Sequence, residues 1–138
     1  MIGLKYTNLN GKKYQLAEGQ MIFIPEFIDI CISHLPFVSI KKGWLLVMAG
    51  YMWNGANGVP DNPDNMRASL FHDALYELMQ LGLLDRIYRD VADRLLQRVC
   101  MEDGMKKEWA KRFYDVVHAL GESASFPSKH VANIIIEI

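Results

Sequence analysis

The stretch Asn65-Met66-Arg67-Ala68-Ser69-Leu70-Phe71-His72-Asp73-Ala74-Leu75-Tyr76-Glu77-Leu78-Met79-Gln80 decides how this chain is read. Its apolar residues Leu70, Phe71, Ala74, Leu75, Leu78 and Met79 recur every three or four positions, which places them on one face of a helix. Asn65 stands at the N-cap position and Gly82 follows the end, so a helix is predicted over about 66–81. Such a face needs a partner, and the sequence supplies two downstream. Asp85 caps a second predicted helix over 86–102, with Ile87, Val91, Ala92, Leu95, Leu96 and Val99 on its apolar face and Gly104 beyond its end. A third, over 105–120, sets Trp109, Phe113, Val116, Val117 and Leu120 on one face and stops at Gly121. The first two are joined by about three residues and should therefore pack antiparallel.

Upstream of Asn65 the pattern changes. Over 51–65, Gly, Asn, Asp and Pro break every periodicity, which reads as a long ordered loop. Before it, 4–7, 12–16, 21–24, 37–40 and 44–48 have the composition of short strands, with Asn8-Leu9-Asn10-Gly11 and Lys41-Lys42-Gly43 as tight turns. The segment 26–35 fits a short helix or a buried loop equally well, and the β-branched residues of 131–138 can add an edge strand. The expected fold is α+β: a small antiparallel sheet from the N-terminal half, packed with three antiparallel helices in a single domain over 1–138.

Composition narrows the function classes. The 138 residues, 51% of them hydrophobic, are enough to enclose one core. A formal charge of −1 gives no basic surface to attract nucleic acid, so no nucleic-acid partner is expected. Two cysteines, Cys31 and Cys100, outside any CxxC context suit free thiols in a reducing compartment. The start Met1-Ile2-Gly3-Leu4-Lys5-Tyr6 lacks the pattern of a signal peptide. The apolar run 21–36 is interrupted by Pro25, Glu26, Asp29 and His34, so no transmembrane segment is expected.

The chemistry centres on Phe71-His72-Asp73-Ala74-Leu75-Tyr76. His72 and Tyr76 lie one turn apart on one helix face, and Asp73 is turned about 100° away. An antiparallel second helix brings Asp90 or Asp93 toward His72, and Asp93 is preferred because it borders the apolar face. A histidine oriented by a partly buried carboxylate is a general base for water, and Tyr76 can donate to the same carboxylate. Asp73 could bind a hard cation together with carbonyl oxygens of the loop at Asn54, Gly55 and Gly58, a donor mixture that calcium accepts. Arg67 and Arg89 are expected to brace the loop and Asp93, and Trp53 to support the loop. A His, an Asp and a Tyr between helices also form purely structural networks. A metal phosphohydrolase set of His34, His72, Asp73 and Asp93 is a further arrangement; His118 reads as a helix-surface or core-edge residue, His130 as part of a polar loop, and Asp61 and Asp64 as turn and capping residues, with further hard-cation ligands as the alternative.

These motifs carry two resemblances. Over 51–121, the order WNGANGVP, HDALY, RDVAD and a closing glycine resembles a family of small bacteriophage and prophage proteins without an assigned activity, whose pattern is a (D/N)GAS(V/I)P loop, HDxLY and an R..AD helix. Asn54 stands here where that family usually has Asp, and Asn57-Gly58 where it has Ser. The resemblance implies a viral or prophage setting, in the cytoplasm of a bacterial host or on the virion. More distantly, a glycine-rich loop, HDxxY and an Asp on the antiparallel helix are similar to secreted phospholipases of the A-two class. That likeness implies His72 as the base that activates water, Asp73 as the calcium ligand, and Tyr76 and Asp93 as the orienting pair. It also implies the loop around Gly55 and Gly58 as carbonyl cradle and oxyanion site, and a lipid ester as substrate. The cysteines that bracket HD in those enzymes are replaced by Ser69, Leu70 and Leu75. Two functions are thus expected: a calcium-assisted ester hydrolase, or a phage structural or host-interaction protein in which the same residues are architecture.

Overall fold

Alternation of apolar and polar residues in the first half of the chain produces short strands, and the 3.6-residue period of the second half produces helices. The structure is a computed structural model that describes residues 3–9, 13–34, 36–56 and 60–127. Among these, strands β1 (Tyr6–Leu9), β2 (Lys13–Leu16), β3 (Gln20–Phe23), β4 (Ile32–His34), β5 (Val38–Lys41), β6 (Trp44–Val47) and β7 (Met52–Trp53) precede helices α1 (Met66–Gln80), α2 (Arg89–Glu102) and α3 (Lys107–Ala124). The fold is α+β, with three helices as expected. In place of the one expected sheet there are two, both antiparallel, in the orders β1-β2-β7 and β3-β6-β5-β4.

The division follows from pairing. β3 joins β6, with Phe23 opposite Trp44, while β2 takes as its partner a strand from the start of the expected loop, Tyr14 opposite Trp53. β7 has only two residues and β4 three, too few to show a period. The β5–β6 hairpin turns through Lys42 (φ 51°) and Gly43 (φ 84°), the pair of positive φ angles that matches strand twist. Over 26–34 the chain combines a short 3-10 helix with a strand that the sequence reading does not expect. A 3-10 turn at Pro25–Phe27 buries Phe27 edge-on to Tyr88, and β4 follows. Residues 10–12 of the first hairpin, and the tail 128–138 with its expected edge strand and His130, lie outside the described residues.

A single apolar cluster joins the inner faces of both sheets to the helices. α1 is its axis, with Leu70, Phe71, Ala74, Leu75, Leu78 and Met79 all buried as its period requires. α2 packs against α1 on one side and α3 on the other. It begins at Arg89, because 86–88 form a 3-10 turn whose Asp85 cap accepts from the Ile87 amide at 2.9 Å. Ile87 therefore leaves the expected apolar face and is 75% exposed.

α3 departs further from expectation. It has α2 as its main neighbour and buries the stripe Ala110, Phe113, Val117 and Gly121. Trp109, Val116 and Leu120 each precede a stripe position by one residue, about 100° around the helix, so Trp109 (58%) and Leu120 (67%) are exposed. Gly121 does not stop the helix, which runs to Ala124; a Cβ there would strike the Tyr76 hydroxyl. Gly121→Ala is therefore expected to cost about 1–3 kcal/mol in urea unfolding. In a Tyr76→Phe background, which removes the atom it meets, the added methyl should cost clearly less.

Among the described residues no helix is long and apolar enough to cross a membrane. Cys31 is exposed and Cys100 buried, both as free thiols, and burial pushes the Cys100 thiol up to about 12.

Candidate active site

The antiparallel pair α1 and α2 is registered by Arg67. Its buried guanidinium donates Nε and Nη2 to the Asp103 carboxylate at 3.0 and 3.1 Å, and Nη2 to Glu102 at 2.9 Å, fastening the start of α1 to the end of α2. This corrects the expectation that Arg67 braces the loop. An arginine in the first turn of α1 of an antiparallel pair meets the carboxylates at the α2 terminus, and its hydrogen bonds go to them.

The same register brings His72 and Tyr76 onto Asp93, which has no exposed surface. His72 Nε2 lies 2.6 Å from Asp93 Oδ1, and the Tyr76 hydroxyl donates to that oxygen at 2.8 Å. Oδ2 is met by His118 Nδ1 at 2.9 Å, with Arg89 Nη1 at 3.7 Å. A carboxylate only accepts, so the facing imidazole nitrogens carry hydrogen. A neutral His72 then has its lone pair on Nδ1, the form a general base requires. Burial alone would raise the Asp93 carboxyl, but the hydrogen bonds of His72, Tyr76 and His118 outweigh it and hold the group below the usual carboxylate range. Burial, followed by the hydrogen bond to Asp93, pushes the Tyr76 phenol well up, so it stays a donor.

His72 retains 9% of its surface and lines a cleft of about 690 Å³. Asp73, Tyr76 and Glu77 of α1 line the cleft with it, facing Trp53 and Asn54 on one side and Val117 and Leu120 of α3 on another. The Trp53 indole donates to Ser69 Oγ at 3.0 Å, which ties this wall to α1. Asn65 holds the N-cap position of α1 without a side-chain cap bond; its amide instead donates to the Pro60 carbonyl at 3.0 Å. Asp61, expected to be a turn residue, clamps the loop by accepting from the Tyr14 hydroxyl at 2.6 Å and the Ala56 amide at 2.8 Å. Gly55 (φ 84°) makes room for this clamp, since its Cβ would sit 2.6 Å from the Asp61 carboxylate.

The expected trio of His72, Asp93 and Tyr76 is thus assembled, Arg89 lies beside Asp93, and Asp73, Asn54 and Trp53 share the cleft. Asp73, Glu77 and Asn54 all line the cleft and carry oxygen donors. Gly55 is accounted for by Asp61, and Gly58 lies outside the described residues. Among the described residues no three His, Cys, Asp or Glu side chains form a metal-ligand group. His34, of the phosphohydrolase arrangement, falls in β4 on the four-stranded sheet.

His118 is the residue the sequence reading passed over. The available signal was topological: with helices on both sides of the second one, a residue at the border of its apolar face is reachable from each. Comparison with protein-family models, curated proteins and solved structures returns no match for this chain.

Proposed function

We propose that this protein is an ester hydrolase in which His72 is the general base for water. The observation that supports it is an imidazole tied through Nε2 to a buried carboxylate at 2.6 Å while its ring reaches an open cleft. Asp93 and Tyr76 orient the ring. His72 Nδ1 takes the proton of an attacking water, and the Asp93 charge stabilises the imidazolium that forms. Asp73 and carbonyl oxygens near Asn54 would hold a calcium ion, whose chemistry is to offset negative charge developing on an ester oxygen. The apolar wall of Val117 and Leu120 suits an acyl chain, in line with a lipid ester, and the phage-family resemblance makes a bacterial host membrane a natural source.

The burial of Asp93 favours a second reading, that of a phage structural or host-interaction protein held together by this network. One experiment separates the two. Wild type and His72→Ala are assayed on short- and long-chain esters and on phospholipid vesicles, with calcium or with EDTA, alongside thermal melts and an Asp73→Ala control. The hydrolase reading expects turnover that falls about a hundredfold in His72→Ala with little change in melting temperature. It also expects a calcium-dependent rise in melting temperature that Asp73→Ala abolishes. No turnover on any ester, together with a His72→Ala protein that melts far lower, would overturn it in favour of architecture.

A further inference from the structure

We infer that His118 is a second positioning residue for His72, acting from the far side of Asp93. This rests on the reading of His72 as the base. A carboxylate held at one oxygen can swing about its side-chain bond and exchange its two oxygens. Asp93 is held at both: Oδ1 by His72 and Tyr76, Oδ2 by His118 Nδ1 at 2.9 Å. Among the described residues the partners of the second oxygen, His118 of α3 and, at longer range, Arg89 of α2, lie outside α1, so α3 holds from the far side the carboxylate that α1 uses.

His118 is itself braced more firmly than a surface histidine needs to be. Its ring stacks on Tyr114 at 5.2 Å and 14°, and its carbonyl accepts from Arg89 Nη1 at 2.7 Å. Asp90, 3.7 Å from Nδ1, is occupied by the Tyr114 hydroxyl and by Arg94, so Nδ1 keeps Asp93 as its nearer acceptor. A side chain that only filled space at the α2–α3 contact would require neither the stacking nor the directed N–H. The outcome for His72 is a single tautomer, with hydrogen on Nε2 and the lone pair on Nδ1.

The test reads that tautomer directly. Imidazole nitrogen chemical shifts of His72 are recorded by NMR at about pH 8, where reference imidazole is neutral, in wild type, His118→Leu and His118→Asn. Asparagine places an N–H the same number of bonds from the backbone as Nδ1. Wild type and His118→Asn should show hydrogen on Nε2 alone, and His118→Leu, in which the carboxylate is free to swing off Nε2 for part of the time, an average of both tautomers. An unfolded His118→Leu is replaced by His118→Ala, which adds no bulk. A locked His72 in the leucine or alanine variant overturns the inference, as does an asparagine variant that averages like leucine. Mixed tautomers in wild type would remove the base reading as well, whereas turnover with an unmoved tautomer would remove only the role of His118.

Discussion

Asp93→Ala is expected to cost about 3–5 kcal/mol of folding stability, read from the urea midpoint at neutral pH. The side chain has no exposed surface and accepts from His72, Tyr76 and His118, so its loss leaves three donors from two helices without their acceptor, two of them, His72 and Tyr76, largely buried. Against a total of about 5–15 kcal/mol for a domain of this size, that is a large share. Asp93→Asn keeps the volume but turns an N–H toward donors on one side, and about 2 kcal/mol is expected. The two variants should also differ from wild type in acid. The folded carboxyl lies below its unfolded value, so its charge contributes stability above about pH 4 that is lost as the pH falls through the folded value. Asp93→Asn has no such group, and its deficit should narrow in strong acid. A deficit that stays constant across that range would show that Asp93 carries no charge-linked stability.

The second large effect lies at the other end of the helix pair. Arg67→Ala leaves the Asp103 carboxylate, 4% exposed, without its two guanidinium hydrogen bonds, and a loss of about 3 kcal/mol is expected. The loss belongs mainly to the abandoned charge. The double variant Arg67→Met, Asp103→Leu, which removes both charges and keeps volume, should recover most of it. A double variant as unstable as the single one would mean that the arginine stem, not the ion pair, holds α1 to α2.

How much of this was legible in the sequence depended on how many residues each feature spans. α1 and α2 each carry enough turns for the apolar period to show, and that period also placed Asp93 opposite His72. The second sheet was not legible, because β4 and β7 are two or three residues long and are defined by pairing across the chain. α3 misled for a different reason. Its apolar residues cover more of its circumference than α2 can bury, and periodicity does not say which part wins. The small residues Ala110 and Gly121, which allow close approach, decided it. Asp61 and His118 were read as local because their partners lie 47 and 25 residues away.

The convergence of three helices on one carboxylate has a consequence for how such a molecule changes over generations. Reactive sites usually carry residues that the fold would rather lose, so chemistry and stability are selected against each other. If His72 is the base proposed above, the two pressures coincide at position 93: a lineage under selection only to stay folded keeps the aspartate that orients an imidazole lining the cleft. A site of this kind persists through periods of disuse, and a new activity can be gained by altering the cleft walls alone.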